Sequence, residues 1–445
     1  MRVYLLLLLV SAATTYLMTP LARWCALRFG AITAVRDRDV HAIPTPRLGG
    51  LAMLVGLLVA LTVASGLPFL SSVFTDPRPI WGLAGGATTV CLLGVADDIW
   101  DLDWVTKLVG QVLGAGFMAW QGVLLFQLPI FGDVVIGSER VWQALTVLVV
   151  VVAMNAVNFV DGLDGLAAGM IGIGGTAFFL YSYWLTILTV DGGRGNYANL
   201  ATLVLAVLVG MCVGFLPHNV YPARIFMGDS GSMLLGLVIA AATIILTGQL
   251  DASALPANDG AALLPRQQIP VFVPILLPVA VLLLPLLDMG LAVVRRVGAG
   301  KSPFHPDRMH LHHRLLSLGH SHRSAVGIMW IWTVVFAFGT ASLVVLSTTQ
   351  ALWLLGVGMV AAALLTLGPL RGKDGGAQPI VTGVTPVVPP ATGTPAPDAH
   401  ATGTRSADHR AATRTTVGPG RPTTTTTTPG PARPPAGHPT PEKRP

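Results

Sequence analysis

The chain has 445 residues, 53% of them hydrophobic and only 11% charged, a balance that a soluble protein could not present to water without large apolar patches. A multispanning membrane protein is expected. The net charge of +6 is small for this length and no basic stripe carries interleaved aromatics, so no nucleic-acid partner is expected; Cys25, Cys91 and Cys212 show no metal-ligand spacing and read as packing residues.

The first apolar run could be a signal peptide with Ser11-Ala-Ala as its small-residue site. It continues instead to Met18 and is followed by an Arg-rich loop, as after a retained first span. Eleven apolar runs start near Val3, Gly50, Ile80, Val105, Trp142, Leu166, Ala198, Met233, Ile269, Ala325 and Ala351, which predicts an all-α polytopic protein of about 11 transmembrane helices. With the N-terminus outside, the loops near 20–49, 97–104, 155–165, 217–230 and 295–324 face the cytoplasm. They and the adjoining helix ends hold thirteen Arg or Lys before the tail, against Arg2, Arg78, Arg140, Arg194 and Arg266 on the opposite face. The excess of cationic residues sets this orientation without reference to any motif. Between the fourth and fifth spans, Phe126–Gly137 alternates weakly around a Gly-Asp turn, so a short exterior β-hairpin competes with an ordinary loop. Residues 1–370 form the multispanning domain. From 371 to 445 the composition shifts to Pro, Thr, Gly and Ala, with six threonines at 423–428, and a disordered cytoplasmic tail is expected.

Polar clusters punctuate the cytoplasmic ends of these spans, where burying charge is costly enough to suggest function. Asp97, Asp98 and Asp101 end the third span; on a continued helix Asp101 shares a face with Asp97 while Asp98 diverges. A solvated helix end is the plainer reading. Asn155, Asn158, Asp161 and Asp164 recur every three residues, which would stack them on one helical face, suited to a sugar, a nucleoside or hydrated Mg²⁺, or else to polar contacts between helices. Phe226-Met-Gly-Asp229-Ser-Gly-Ser opens the eighth span with small residues, free N–H groups and a hard oxygen ligand, an arrangement suited to an anion or a metal-bound phosphate. Asn219 and Phe226 could bind and stack on a base, or pack at the membrane edge. His305, His310, His312, His313, His320 and His322 crowd one loop with Arg308 and Arg314. A phosphate-rich ligand explains both residue types better than zinc, with contact to anionic lipid as the alternative.

As a set, Asp97-Asp98, Asn155-x-x-Asn-x-x-Asp-Gly-x-Asp-Gly, Phe226-Met-Gly-Asp-x-Gly-Ser and His310-x-His-His-Arg-Leu resemble the polyprenyl-phosphate N-acetylhexosamine-1-phosphate transferases, and His41-x-x-Pro-Thr-Pro-Arg47-x-Gly-Gly looks like that family's first-loop motif. The pentapeptide-translocase branch carries a first-loop lysine and a His-His-His-Phe-Glu run. Ile43-Pro44 and His310-Leu-His-His-Arg-Leu315 depart from both and look like the branch that uses UDP-N-acetylglucosamine (UDP-GlcNAc).

The resemblance implies attack of a polyprenyl phosphate (undecaprenyl or decaprenyl) on the β-phosphorus of UDP-GlcNAc, with Mg²⁺, or Mn²⁺ in its place, as cofactor. It implies Asp229 as metal ligand, and Asp97 assisted by Asp98 at the lipid phosphate. Asn155, Asn158, Asp161, Asp164, Asn219 and Phe226 would serve the nucleotide end. His41, Arg47, His310, His312, His313 and Arg314 would hold sugar or phosphate, with Lys107 positioning charge. A bacterial plasma-membrane location and a homodimer are also implied. The competing readings are the pentapeptide translocase itself and, in another class, a proton- or cation-coupled transporter. Against the transporter, the polar groups gather at one face and no repeat is evident.

Overall fold

The structure, a computed structural model, describes residues 1–32, 44–125, 128–130, 133–135, 138–190, 196–247, 273–298, 300 and 311–368. The expected tail lies outside these residues. Helices account for each of the predicted apolar runs: α1 (Arg2–Phe29), α2 (Gly49–Ser65), α3 (Arg78–Trp100), α4 (Trp104–Trp120), α5 (Glu139–Val160), α6 (Leu166–Val190), α7 (Asn196–Asn219), α8 (Gly228–Thr247), α9 (Val273–Val281), α10 (Leu283–Gly298), α11 (Leu311–Ser317), α12 (His322–Ser342) and α13 (Thr348–Leu367).

Eight of these helices are long and apolar enough to cross a membrane, so the protein is an all-α polytopic membrane protein, but a count of eleven spans is not established among the described residues. The difference has a physical source. Helices α2 and α4 have 17 residues each, which at about 1.5 Å per residue reach roughly 25 Å, short of a hydrocarbon core of about 30 Å. The run expected from Ile269 is split at Leu282 into α9 and α10. Pro285, lacking an N–H, cannot donate to the carbonyl of Val281, so the helical ladder is interrupted there.

Of the two readings of the stretch between α4 and α5, paired strands are the one observed. Strands β1 (Leu128–Ile130) and β2 (Asp133–Val135) pair antiparallel with Leu128 opposite Val135 and Ile130 opposite Asp133. It follows the end of α4 that lies away from Lys107, so the hairpin sits at the opposite end of the bundle from the acidic clusters.

Helix α8 is the hub. It packs against α2, α3, α5, α6, α7 and α9, and nearly all of its residues are buried within the protein. Glycines permit this closeness: a Cβ on Gly94 of α3 or Gly50 of α2 would run into the backbone of Asp229–Gly231 at the start of α8. Because helices α1 to α8 alternate in direction, the C-terminal ends of α1, α3, α5 and α7 and the N-terminal ends of α2, α4, α6 and α8 gather at one end of the bundle.

Two helix ends differ from expectation. Helix α3 stops at Trp100, and Asp101 is its left-handed C-cap at φ 52°, donating its N–H to Asp97 O at 2.9 Å. Asp101 therefore does not share a helical face with Asp97. Likewise α5 stops at Val160, so only Asn155 and Asn158 stack on its face, while Asp161 is the C-cap and Asp164 lies in the turn before α6. Gly165, at φ 76°, turns the chain there.

Candidate active site

The site is assembled on the first turn of α8. Asp98, from the end of α3, accepts hydrogen bonds from the N–H groups of Asp229 (3.1 Å) and Ser230 (3.3 Å). A helix start leaves such donors unpaired, so Asp98 caps α8 from a neighbouring helix. Gly228 is required beside it, both for its φ of 69° and because a Cβ would meet the Asp98 carboxylate.

Lys107, in the first turn of α4, lies between two carboxylates. Its ammonium is 2.8 Å from Asp97 Oδ2 and also donates to Asp229 Oδ2. Asp97 additionally accepts from Leu102 N at 3.1 Å. Helix α4 is placed by Asp103, which caps it through Val105 N (2.9 Å) and Thr106 N (3.1 Å). Hydrogen bonds from Thr106 and Val105 hold the Asp103 carboxyl below the usual carboxylate range.

The first loop reaches the same place through backbone pairing. Arg47 N donates to Ala31 O (2.9 Å), Phe226 N to Pro46 O (2.8 Å), Gly49 N to Phe226 O (3.1 Å) and Gly50 N to Met227 O (3.0 Å). Arg47 and Phe226 thus line one cleft of about 240 Å³ together with Asp98, Asn158, Asp161, Asn219 and Asp229. Asp161 is half-buried there, and burial together with the negative charges of Asp229 and Asp98 pushes its carboxyl up to about 8.

Other predicted site residues are engaged with protein. Asn155 Nδ2 donates to Gln111 Oε1 (2.7 Å) and Val151 O (2.8 Å), and Gln111 Nε2 reaches Met233 Sδ (3.2 Å). Asn158 Nδ2 donates to Ser232 Oγ at 2.9 Å. Asn219 accepts from Gly165 N and donates to Ile225 O, both at 3.0 Å. Asp164 is buried and accepts from Ala223 N at 2.8 Å. Neither Asn155 nor Asp164 lines the cleft. Arg314 is exposed on α11, whose first N–H donates to the buried Asp288 of α10 at 2.8 Å. His41 and His310 lie outside the described residues, and the side chains of His312 and His313 do too.

Gln111, Ser232 and Asp288 were not among the expected residues, and His322 was expected only as a member of the His-rich loop. Gln111 falls one turn after Lys107 on the same face of α4, a spacing that could have marked it. Ser232 lies within the Gly-Asp-Ser-Gly-Ser run. Asp288 stands alone in an apolar run, itself a signal of a paired buried carboxylate.

No three His, Cys, Asp or Glu side chains among the described residues form a metal-holding group. The donor set nonetheless suits an ion that takes few protein ligands: Asp97 and Asp229 already converge on the ammonium of Lys107, and Mg²⁺ is commonly held by one or two carboxylates with substrate phosphates and water completing its shell.

The fold and the site together define a polytopic membrane protein whose acidic, basic and amide side chains gather around one cleft at one end of the helical bundle. Residues 80–247 match glycosyl transferase family 4. Across 377 residues the chain is 44% identical to the decaprenyl-phosphate N-acetylglucosaminephosphotransferase of Mycolicibacterium smegmatis, covering 83% of this chain and 90% of that protein. The protein of the same description from Mycobacterium tuberculosis H37Rv is 42% identical over 82% of this chain and 89% of its own length. A Bacillus subtilis protein described as a probable undecaprenyl-phosphate N-acetylglucosaminyl 1-phosphate transferase is 32% identical over 78% and 85%. The chain belongs to glycosyl transferase family 4.

Proposed function

We propose that this protein transfers N-acetylglucosamine 1-phosphate from UDP-GlcNAc to a polyprenyl phosphate, releasing UMP and beginning a cell-envelope glycan. The observation that carries the reading is the junction of Asp97, Lys107 and Asp229 beside the Arg47 and Phe226 wall, a place where anions can be brought together and neutralised. The relatives' substrates favour decaprenyl phosphate over undecaprenyl phosphate as acceptor. In the transfer, an oxygen of the lipid phosphate forms a bond to the β-phosphorus; the bond from that phosphorus to the bridging oxygen breaks, and its electron pair leaves with UMP.

Asp229 would hold Mg²⁺, with Mn²⁺ as a substitute; when bound, the ion neutralises diphosphate charge and polarises the phosphoryl oxygens. Asp97 orients the acceptor phosphate and takes up its proton. Lys107 offsets the negative charge of both carboxylates, and Asp98 fixes the turn that presents Asp229. Arg47 donates to phosphoryl oxygens, for which a guanidinium is well shaped. At the nucleotide end Phe226 stacks on uracil, Asn158 and Asn219 shape the pocket, and the Asp161 carboxyl lies in the same cleft within reach of the base. The orientation we propose puts the N-terminus outside and the cleft and C-terminal tail in the cytoplasm, in a bacterial plasma membrane, with a homodimer as the assembled form.

The test is incubation of purified protein with labelled UDP-GlcNAc and decaprenyl phosphate. A chloroform-soluble product and equimolar UMP are expected, both abolished by EDTA, restored by Mg²⁺ and absent from Asp229→Asn. Product formed only from the muramoyl-pentapeptide nucleotide would reassign the donor, and EDTA-insensitive turnover would remove the ion.

A further inference from the structure

Behind the cleft, outside the residues given a role above, α12 begins with a polar cluster. His322 follows the Ser321 cap, whose hydroxyl accepts from Ser324 N at 3.2 Å. The imidazole Nε2 of His322 accepts from the backbone N–H of Asp164 at 3.2 Å. Its ring stacks on Tyr221, centroids 4.5 Å apart at 29°. The neighbouring Arg323 lies 5.7 Å over the same Tyr221 ring and donates to the Tyr221 carbonyl at 3.5 Å.

These contacts join two segments that both line the cleft. The turn 161–165 supplies Asp161, Gly162 and Leu163, and the segment 219–228 supplies Asn219, Phe226 and Gly228. Asp164 Oδ2 to Ala223 N and Asn219 Oδ1 to Gly165 N tie the two directly. His322 touches one segment through a hydrogen bond and the other through its ring face, so a single side chain on a third element registers both. Trp330, two turns further along α12, donates to Leu166 O at 3.4 Å and seats the helix against α6. Nothing in α12 reaches the cleft itself, so any effect of His322 on the reaction passes through these walls.

We infer that His322 is a positioning residue for the nucleotide wall: its Nε2, acting as acceptor for Asp164 N–H, holds the 161–165 turn at the distance from Phe226 that the base requires. This rests on the assignment of that wall to the nucleotide. The acceptor is the working part, since only a ring nitrogen with a free lone pair can serve an N–H donor. Losing one buried hydrogen bond at a wall that contacts only one substrate should weaken that substrate alone, by about five- to tenfold.

The experiment pairs His322→Phe, which keeps a ring against Tyr221 and loses the acceptor, with His322→Gln, which keeps an acceptor and loses the ring. KM for UDP-GlcNAc should rise about five- to tenfold in His322→Phe, with kcat and KM for decaprenyl phosphate within about twofold of wild type, and His322→Gln should recover most of the affinity. Equal defects in both variants, a defect in Gln but not in Phe, or an unchanged KM in both would overturn the inference. Hydrogen–deuterium exchange on the wild-type protein gives an outcome that needs no variant and no donor: the Asp164 amide should be protected, and exchange as fast as an open loop would equally overturn it. Failure of the assigned function shows separately, as absence of product from wild type with a protected Asp164 amide.

Discussion

Lys107→Met tests the electrostatic centre of the site. At an N–O distance of 2.8 Å and an effective dielectric near 20, the attraction to Asp97 alone is about 6 kcal/mol before desolvation. The three side chains are 10% to 25% exposed, buried enough that solvent screens them only in part. Removing one partner of a buried pair typically costs about 3–5 kcal/mol because the other charges are left uncompensated; the residual exposure argues for the lower end, about 3 kcal/mol. Equilibrium unfolding in mixed detergent, without substrate or metal, reads this as a shifted midpoint. Adding Asp97→Asn to Lys107→Met should restore part of the loss, since one of the two orphaned carboxylates is then neutral. A double-mutant cycle should give a coupling of at least about 1.5 kcal/mol. Additivity within about 0.5 kcal/mol would refute the reasoning, showing that Lys107 and Asp97 are neighbours without energetic linkage.

Asp161→Asn should raise the unfolding midpoint at pH 8.5 but leave it nearly unchanged at pH 4. The folded-state carboxyl is raised to about 8 from an ordinary 3.8, so its contribution is fully present below 3.8 and is lost as pH rises through 8; an amide has no such loss. Unfolding titrations at the two pH values check it. Asp103→Ala removes the α4 cap and should lower the unfolding midpoint in the same titration, with turnover falling because Lys107 sits on the first turn. Gly94→Ala should cost about 1–3 kcal/mol and most of the activity, because α3 must move from α8 and carry Asp97 and Asp98 away from Asp229; wild-type turnover by that variant would disconnect the glycine contact from the site.

The sequence made the gathering of Asp97-Asp98, Asn158, Asp161 and Asp229 legible, because apolar run lengths give the parity of helix ends and parity needs no detailed packing. It could not reveal that Pro46–Gly50 pairs with Phe226–Met227. That pairing is carried by backbone N–H and C=O groups, which every residue possesses and which leave no mark on side-chain pattern. Helix termination was the other blind spot: a three-residue spacing in Asn155–Asp164 looks helical throughout, and only the left-handed Gly165 and the Asp161 cap show where the chain leaves the helix. His322 looked like one member of a basic loop because its partner, Asp164, is 158 residues away.

The burial of α8 on nearly every side has a consequence for how the protein is made. A helix with almost no lipid-facing surface cannot find its place by drifting in from the bilayer after the others have closed. Helices α1 to α7 precede it from the ribosome and must leave a slot, and α9, which packs on it, can only arrive afterward. The carboxylate at its tip therefore joins Asp97 and Lys107 at the moment the slot is filled, so assembly of the bundle and completion of the site are one event.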